Sequence, residues 1–314
     1  MNLDHLDLFL RIARHRNISL AGRELGLSAA AASAQLNKLE ATIGARLVHR
    51  TTRSVSLTED GEVFLSYAED MLSSLDSARA AMGVGNASPK GRLRVAAPAS
   101  FGRMHLLPAL AEFLALYLAL QVDCRLSDTI VDLVEGGFDI AIRNAALPDS
   151  SMIARKLAPD QRLLCASPAY LAQHGEPQHP QDLAQHDCIT LIGLEDWLFE
   201  SPDGPVSVQA RGRFRTDNGE AIRDACLNGM GITINSSWSA YESLRRGELV
   251  EVLKDFPLAS DTAIWAIYPS SRQLAAKVRV FIDFFADRFA GQPYWDSSLA
   301  NSDRVGDNSK APRP

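Results

Sequence analysis

The segment Leu25–Gly61, LGLSAAAASAQLNKLEATIGARLVHRTTRSVSLTEDG, decides the fold of this 314-residue chain. At its start, Gly26 allows the positive φ that ends a helix, and Ser28 can cap the helix that follows. That helix runs from Ala29 to about Glu40. A shorter apolar helix precedes Gly26, so the pattern predicts two helices joined by a three-residue turn.

Such a pair suits a DNA-binding helix-turn-helix, in which the second helix enters the major groove. An ordinary αα-hairpin remains the alternative on spacing alone. The segment Ile43–Thr58 favours DNA binding, because it reads as a helix end followed by a β-hairpin, which would form a wing. Its basic and hydroxyl side chains are typical phosphate or minor-groove donors, although a solvated charged turn would look similar. The candidate DNA contacts are Ser28, Ala29, Ser33, Gln35, Lys38, His49, Arg50, Thr52 and Arg53.

Several pieces of this region together resemble the LysR-type transcriptional regulators. The matching pieces are Leu25–Ser28, Ser33–Glu40, Gly44–Leu47, His49–Arg53 and Leu57–Gly61. The resemblance implies a site-specific regulator with an N-terminal winged helix-turn-helix, a linker helix through which two copies dimerise, and a C-terminal effector domain. It also implies an interrupted dyad operator in double-stranded DNA, a homodimer or homotetramer, and contact with RNA polymerase when the protein activates.

Two departures from the family pattern lie in the helix that would read the DNA sequence. Relatives commonly carry Gln or Pro, and Arg or Lys, where this chain has Ala29 and Ala34. Alanine cannot hydrogen-bond to a base edge, so readout must depend on Ser28, Ser33, Gln35 or Lys38, on methyl contacts, or on DNA shape. The recognition helix therefore does not specify an operator sequence.

A long helix is expected from about Thr58 to Met82, since its apolar residues recur at intervals of three and four. These apolar positions are Phe64, Ala68, Met71, Leu75, Ala78 and Met82. They could pack against the chain's own DNA-binding domain or against a second copy, and the resemblance favours the second copy. The residues after Met82 are rich in Gly, Ser and Pro, which marks a domain boundary.

From Arg92 onward, strand-like and helix-like segments alternate, which is typical of an α/β domain with a mostly parallel sheet. A helix is expected over Thr129–Glu135. The fold class is thus a winged helix-turn-helix (all-α with a β-wing), a linker helix, and a two-lobed α/β effector domain like periplasmic solute-binding proteins. A further departure from the family is Leu118, where relatives commonly have proline, and we expect it to affect stability and not ligand choice.

Four regions are expected along the chain. Residues 1–60 form the DNA-binding domain, 61–90 the linker helix and hinge, 91–290 the effector domain, and 291–314 a disordered tail. In the effector domain, the first lobe is expected at 91–161 and 267–290 and the second at 162–266. The lobes would be joined by crossovers near Asp160–Leu163 and Trp265–Tyr268.

Ligands in open α/β sheets bind beyond the carboxyl ends of strands, where helix N-termini carry free N–H groups. Three such ends are expected to meet in one cleft, at Ser100-Phe101, Ser127-Asp128 and Asn218-Gly219, and each could instead only cap its helix. Arg143 could counter a ligand's charge, pair with Asp139 or line the dimer surface. The candidate effector contacts are Ser100, Phe101, Ser127, Arg143, Asn218 and Gly219. They suit a small polar or anionic metabolite.

Composition limits the remaining classes of function. The net charge is −6, yet residues 1–60 hold eight Lys or Arg against six Asp or Glu, which suits a site-specific DNA binder better than a protein that coats nucleic acid. Catalytic and phosphate-binding motifs are absent, so we expect no enzyme, no metal and no cofactor. The acidic start and the lack of a long apolar run predict a cytoplasmic protein.

Two alternatives fit the sequence less well. A Cys188/Cys226 redox switch is conceivable, but four scattered cysteines without C-x-x-C spacing read better as reduced core residues. A solute-binding or sensor protein without DNA regulation would fit the second domain but not the first sixty residues.

Overall fold

The computed structural model describes residues 2–50, 55–81, 89–129, 132–133, 136–146, 152–269 and 275–297. They divide into two compact units. One unit holds the chain up to Leu93, together with Leu118–Gln121 and residues 275–279. The other unit holds Arg94–Tyr117, residues 122–269 and residues 280–297.

The first unit opens with three helices and a two-stranded hairpin: α1 Leu3–His15, α2 Ile18–Glu24, α3 Ala29–Ile43, β1 Val48–Arg50 and β2 Val55–Leu57. Three short polar side chains cap the helices. Oδ1 of Asn2 accepts from the amide of Asp4, Oδ1 of Asn17 from Leu20, and Oγ of Ser28 from Ala31, at 2.9, 2.9 and 3.1 Å. Each cap satisfies an amide at a helix start, and replacing such a cap by alanine costs about 1 kcal/mol.

The turn between α2 and α3 has the predicted chemistry. Gly26 has φ +69°, and the Leu27 amide donates to the Gly22 carbonyl at 2.8 Å. A Cβ at Gly22 would lie 2.7 Å from Cβ of Ala32, so only glycine allows the two helices to pack this closely. The helix-turn-helix predicted from the spacing is confirmed.

A long helix, α4 Glu59–Ala81, follows the hairpin in the first unit. Its start passes against the segment that leads into the wing, because a Cβ at Gly61 would lie 2.0 Å from the Leu47 carbonyl oxygen. Oγ1 of Thr58 caps this start by accepting from the Gly61 amide at 2.9 Å. Glycine at position 61 is therefore required by a backbone contact.

The first lobe of the second domain is built on a five-stranded sheet in the order β4-β3-β5-β14-β6. Its strands are β3 Gly91–Ala97, β4 Leu120–Leu126, β5 Ile140–Ala145, β6 Ile153–Pro159 and β14 Ala263–Tyr268. Its helices are α5 Ala99–Phe101, which continues through a π-helical stretch, Gly102–Leu106, into α6 Leu107–Leu116, and α10 Ala276–Arg288.

The second lobe has its own five-stranded sheet, in the order β11-β8-β12-β7-β13, and a hairpin of β9 and β10. The strands are β7 Arg162–Ala166, β8 Cys188–Leu191, β9 Asp196–Phe199, β10 Val206–Gln209, β11 Arg215–Thr216, β12 Ile232–Ser236 and β13 Val250–Glu251. The helices are α7 Pro168–His174, a 3₁₀ helix Pro180–Gln185, α8 Gly219–Leu227 and α9 Ser237–Arg245. Apolar side chains cover both faces of this sheet.

Both sheets are mixed, because one strand in each runs antiparallel to its two neighbours, whereas the pairs β3 with β5, β8 with β11 and β8 with β12 are parallel as expected. β14 runs antiparallel to β5 and β6, and β7 runs antiparallel to β12 and β13. Antiparallel strands appear here because the chain crosses between the lobes twice and returns through each sheet in the opposite direction. Alternation of strands and helices in sequence does not reveal such a return.

The second crossover was also misplaced. β14 pairs along its whole length, Ala263–Tyr268, with strands of the first sheet, so the chain leaves the second lobe before Ala263 and not near Trp265–Tyr268. The second lobe therefore ends before residue 263, not at 266. The first crossover lies where expected, between the end of β6 at Pro159 and the start of β7 at Arg162.

Part of the region expected as a disordered tail is ordered. Residues 294–297 form a helical turn, and Trp295 is fully buried. The indole stabilises this turn by packing against Phe101, Phe289 and His105, with ring centroids 4.6 to 6.2 Å apart. The rest of the tail, 298–314, lies outside the described residues, as does much of the hinge at 82–88 and of the expected helix Thr129–Glu135.

Candidate DNA-binding surface and effector cleft

Helix α3 presents the face that was predicted to read DNA. Ser28, Ala29 and Lys38 are exposed and Ser33 is half-buried, whereas Ala32, Leu36 and Leu39 are buried beneath them. The hydroxyl of Ser28 is occupied by its capping bond to the Ala31 amide. Lys38 therefore offers the only cationic group among the predicted contacts on α3.

Gln35 differs from the expectation for a base-reading residue. Its Oε1 is buried and has no hydrogen-bond partner in the described part of the chain. Only the amide nitrogen would then be available to a base, and bidentate recognition of adenine needs both atoms of the amide. Gln35 would have to change rotamer to read a base pair.

The wing predicted after α3 is present as the hairpin of β1 and β2, in which His49 lies opposite Ser56. His49 is exposed. Arg50 is tied to α3, because its Nη2 donates to Oδ1 of Asn37 at 2.8 Å and to Oε2 of Glu40 at 3.2 Å. Thr52 and Arg53, the other predicted wing contacts, lie outside the described residues.

Glu40 explains how the wing is held against the recognition helix. Its Oε1 accepts from the amides of Leu47 and Val48 at 2.8 and 3.1 Å, while Oε2 binds Arg50. One carboxylate thus satisfies two backbone amides at the start of the wing and one guanidinium on it. Sequence reasoning missed this role, although an acidic residue at the end of a helix before a basic hairpin was a possible signal.

The linker helix α4 has two different apolar faces. Phe64 and Ala68 pack against the chain's own DNA-binding domain, with the Phe64 ring 5.5 Å from that of Phe9. Val63, Tyr67 and Met71 lie on another face and remain exposed, at 59%, 59% and 36%. Of the two interpretations of the seam, packing within the chain applies to Phe64 and Ala68, and a separate apolar stripe remains exposed.

The three strand ends predicted to converge in the effector domain do come together, through Asp128. Its Oδ1 accepts from the amide of Ala99 at 2.9 Å, and its Oδ2 accepts from Nδ2 of Asn218 at 2.5 Å. Ala99 starts α5 in the first lobe, and Asn218 caps α8 in the second lobe by accepting from the Ala221 amide at 2.8 Å. One carboxylate therefore links the two lobes.

Two further contacts cross between the lobes beside Asp128. Arg103 of the first lobe forms an ion pair with Glu220 of α8. His105 is buried, with Nε2 3.1 Å from the carbonyl oxygen of Trp238 and Nδ1 2.5 Å from the hydroxyl of Tyr294. The carbonyl requires a proton on Nε2, so Nδ1 accepts from the tyrosine. Burial lowers the pKa of His105 to about 4.

The predicted effector residues fall into different environments. Ser100 is buried beside the first strand end, and Oγ of half-buried Ser127 accepts from the Thr129 amide at 3.2 Å. Asn218 and Gly219 lie half-buried at the start of α8. Phe101 does not line a cleft, because its ring is fully buried and packs edge-on against Trp238 and Phe289.

Arg143 lies on β5 opposite Trp265 of β14 and is half-buried. Burial lowers the pKa of its guanidinium. The next residue, Asn144, is the one that reaches the second lobe, since its amide oxygen accepts from Oγ of Ser236 at 3.2 Å while its amide nitrogen donates to Oδ2 of Asp160 at 2.9 Å. The strand thus points a polar side chain at the second lobe one position beyond the predicted one.

The cysteines are free thiols. Cys188 and Cys226 are buried, and burial raises their pKa values to about 11 and about 12. Such thiols hold little reactive thiolate at neutral pH, which favours a structural role. Among the described residues, no cluster of three or more His, Cys, Asp or Glu is arranged to hold a metal ion, and no helix is long and apolar enough to span a membrane.

Comparison with known proteins agrees with both halves of the structure. Residues 3–62 match the family described as "Bacterial regulatory helix-turn-helix protein, lysR family", and residues 86–290 match "LysR substrate binding domain". The chain is 34% identical over 292 residues to the transcriptional regulator DmlR of Escherichia coli, covering 92% of this chain and 94% of DmlR. It is 34% identical over 297 residues to PtxR of Pseudomonas aeruginosa, covering 94% and 95%.

Among solved structures, the chain is similar to CrgA, a LysR-type transcriptional regulator from Neisseria meningitidis. The sequence identity is 29% and the TM-score is 0.60. The match covers 93% of this chain and all of the CrgA chain. The likeness therefore includes both the DNA-binding and the effector domain.

Proposed function

Because this chain belongs to the LysR family of bacterial transcriptional regulators, we propose that it regulates genes in the cytoplasm as a homodimer or homotetramer on an interrupted dyad operator. The observation that carries the proposal is the exposed face of α3 beside a wing, in one chain with a two-lobed effector domain. RNA polymerase is the proposed partner when the regulator activates.

In this proposal, α3 enters the major groove with Ser33 and Lys38 toward the DNA and with Ala29 and Ala34 as methyl contacts. Arg50, His49, Thr52 and Arg53 of the wing contact phosphates or the minor groove. Few of these side chains can discriminate bases, so DNA shape contributes a large part of the specificity. The two DNA-binding domains of a dimer then supply the remaining affinity by binding the two halves of the dyad.

The effector in this proposal binds between the lobes near Ser100, Ser127, Asn218 and Gly219, with Arg143 available for a charged group. A ligand there would compete with the links from Asp128 to Ala99 and Asn218, because these occupy the same strand ends. Changed closure of the lobes would reorient the dimers of a tetramer and alter the spacing of the heads on bent DNA.

The test is a footprint of the purified protein on the DNA flanking its own gene, titrated with salt and competitor DNA. A protected, interrupted dyad that survives competitor supports the proposal. The variant Lys38→Ala is expected to weaken binding and to reduce the slope of log K against log salt by about 0.9, because one phosphate contact is lost. The control Lys254→Ala removes an exposed lysine of the second lobe and should change neither value.

A sensor without DNA regulation is the second candidate. The observation that favours it is the reduced hydrogen-bonding capacity of α3, with alanine at positions 29 and 34 and a buried Oε1 on Gln35. Absence of any protected site, both without and with a cell extract that is free of nucleic acid and supplies the native ligand, would select this candidate over the regulator.

A further inference from the structure

A cavity of about 230 Å³ lies in the second lobe and is lined in part by Ile222 of α8, the helix that Asn218 caps. Its lining comes from the second lobe and from the two crossovers, and includes none of the six predicted effector residues. The cavity lies at the carboxyl ends of β8 and β12, where Thr190 and Leu191 end β8 and Arg162 begins the antiparallel neighbour β7. Carboxyl ends of strands are where α/β domains bind ligands.

Most of the cavity wall is apolar. It includes Leu191, Leu194, Trp197, Ile222 and Leu258. At roughly 30 Å³ for each water in the liquid, the volume equals that of about eight waters, which suits a compact organic molecule of about eight non-hydrogen atoms. The ligand must therefore have a small hydrocarbon part.

Arg162 supplies the polar end of the cavity. Its Nε lies 2.7 Å from Oδ2 of Asp160, a carboxylate whose side chain is fully buried, and 3.4 Å from Oγ1 of Thr262. Oγ1 of Thr262 in turn donates to Asp160 at 2.9 Å. Both crossovers thus hold the guanidinium through Nε, and within the described chain its two terminal nitrogens have no hydrogen-bond partner.

This arrangement orients the guanidinium for an external acceptor. Two parallel N–H donors from one arginine match the two oxygens of a carboxylate, and such charge-assisted pairs are stronger than neutral hydrogen bonds. The other charged group in the lining is Asp196, which is exposed and negative. It would repel a second carboxylate, so the cavity favours one negative charge over two.

We infer that the second-lobe cavity binds a small monocarboxylate with a compact apolar body, its carboxylate on Arg162 and its body against the apolar wall. The regulatory role of this ligand rests on the proposed function. Because Asp160 and Thr262 lie on the two crossovers that join the lobes, a carboxylate on Arg162 acts at the hinge and can change lobe closure.

The test is calorimetric titration of the full chain, without DNA, using 4-methylpentanoate as the probe. It has eight non-hydrogen atoms and one carboxylate. The expected result is saturable binding at one site per chain, at least tenfold weaker binding of the equally shaped 4-methylpentanamide, and no binding of succinate in the same range. Equal affinity for the acid and the amide, stronger binding of succinate, or no binding of the acid overturns the inference.

Two variants locate the site. Arg162→Lys keeps a cation for Asp160 but loses the paired donors, and is expected to weaken binding at least tenfold, whereas Arg215→Lys, an exposed arginine of the same lobe, should leave it unchanged. Leu194→Glu places a carboxylate at an exposed position of the lining and should also weaken binding, which keeps the test valid if Arg162→Lys unfolds. Unchanged affinity of 4-methylpentanoate in Leu194→Glu overturns the inference. A protected operator in the footprint would still support the proposed function.

Discussion

Single buried residues set several properties of this protein, and His105 is the clearest case. Its imidazole lies between the lobes among aromatic rings, with Glu242 as the nearby acidic group and the carbonyl of Trp238 as hydrogen-bond acceptor. Burial outweighs both of these, so the pKa falls to about 4. A neutral histidine thus completes the packing between Phe101, Trp238 and Trp295.

The stability of the effector domain should therefore depend on pH. A histidine whose pKa is lower in the folded state takes up protons preferentially when the chain unfolds. This group therefore leaves the free energy of unfolding at its full value above pH 6.5 and lowers it as the pH drops toward 4. The loss should reach roughly 3 kcal/mol at the low end. Urea denaturation at a series of pH values measures it.

The matched variants are His105→Phe and His49→Gln. His105→Phe keeps a ring but cannot titrate, so its stability should vary less with pH between 6.5 and 4 than that of the wild type, although it is less stable at pH 7. His49 is exposed, and its replacement should preserve the wild-type slope. A wild-type slope in His105→Phe would mean that another group controls the acid sensitivity.

At the scale of secondary-structure elements, helix starts and strand ends carry the contacts between lobes. The start of α5 and the start of α8 share one acceptor, Asp128, and α8 also pairs through Glu220 with Arg103. A carboxylate between two helix starts is favourable, because both ends carry partial positive charge. In the proposed function, a ligand in the cleft would reorganise these elements.

Asp128→Ala should loosen this link. A hydrogen bond to a charged acceptor contributes about 1.5–3 kcal/mol, so hydrogen exchange at the Ala99 amide is expected to become about tenfold faster or more. Asp217→Ala changes an exposed acid one residue before Asn218 and should not alter exchange at Ala99. Equal exchange in the wild type and Asp128→Ala would show that the link contributes nothing to closure.

At the scale of the whole molecule, the proposed dimer would use the exposed stripe on α4. Val63, Tyr67 and Met71 are spaced four residues apart and lie on one face, whereas Phe64 and Ala68 are used within the chain. An apolar stripe at helical spacing is typical of a helix-pairing surface. Pairing through it would bring two reading heads to one operator.

Tyr67→Glu tests this assignment by placing a charge in the stripe. Sedimentation equilibrium should show a smaller assembly than the wild type at the same concentration, because burying an unpaired carboxylate is unfavourable. Glu62→Gln, one residue before Val63 and also exposed, should keep the wild-type mass. An unchanged mass in Tyr67→Glu would exclude this face from the interface.

Much of the N-terminal domain was predictable, because its signals are local. Asn17 and Ser28 cap helices, Gly26 ends one, and Gly22 allows a close crossing, and each acts within a few residues of its own position. Family membership was predictable for the same reason, since the matching pieces are contiguous. The convergence of three strand ends also followed from the sequence, through the rule that ligands bind at carboxyl ends.

What only the tertiary structure decided depends on residues distant in sequence. The antiparallel return of β14, the burial of Trp295 and Phe101 in one aromatic cluster, and the link from Asp128 to Asn218 join segments 90 or more residues apart. The fixed guanidinium of Arg162 is similar, because Thr262 lies 100 residues away. Local patterns report the preferences of a segment for helix, strand or turn, whereas burial and pairing depend on which distant segment packs against it.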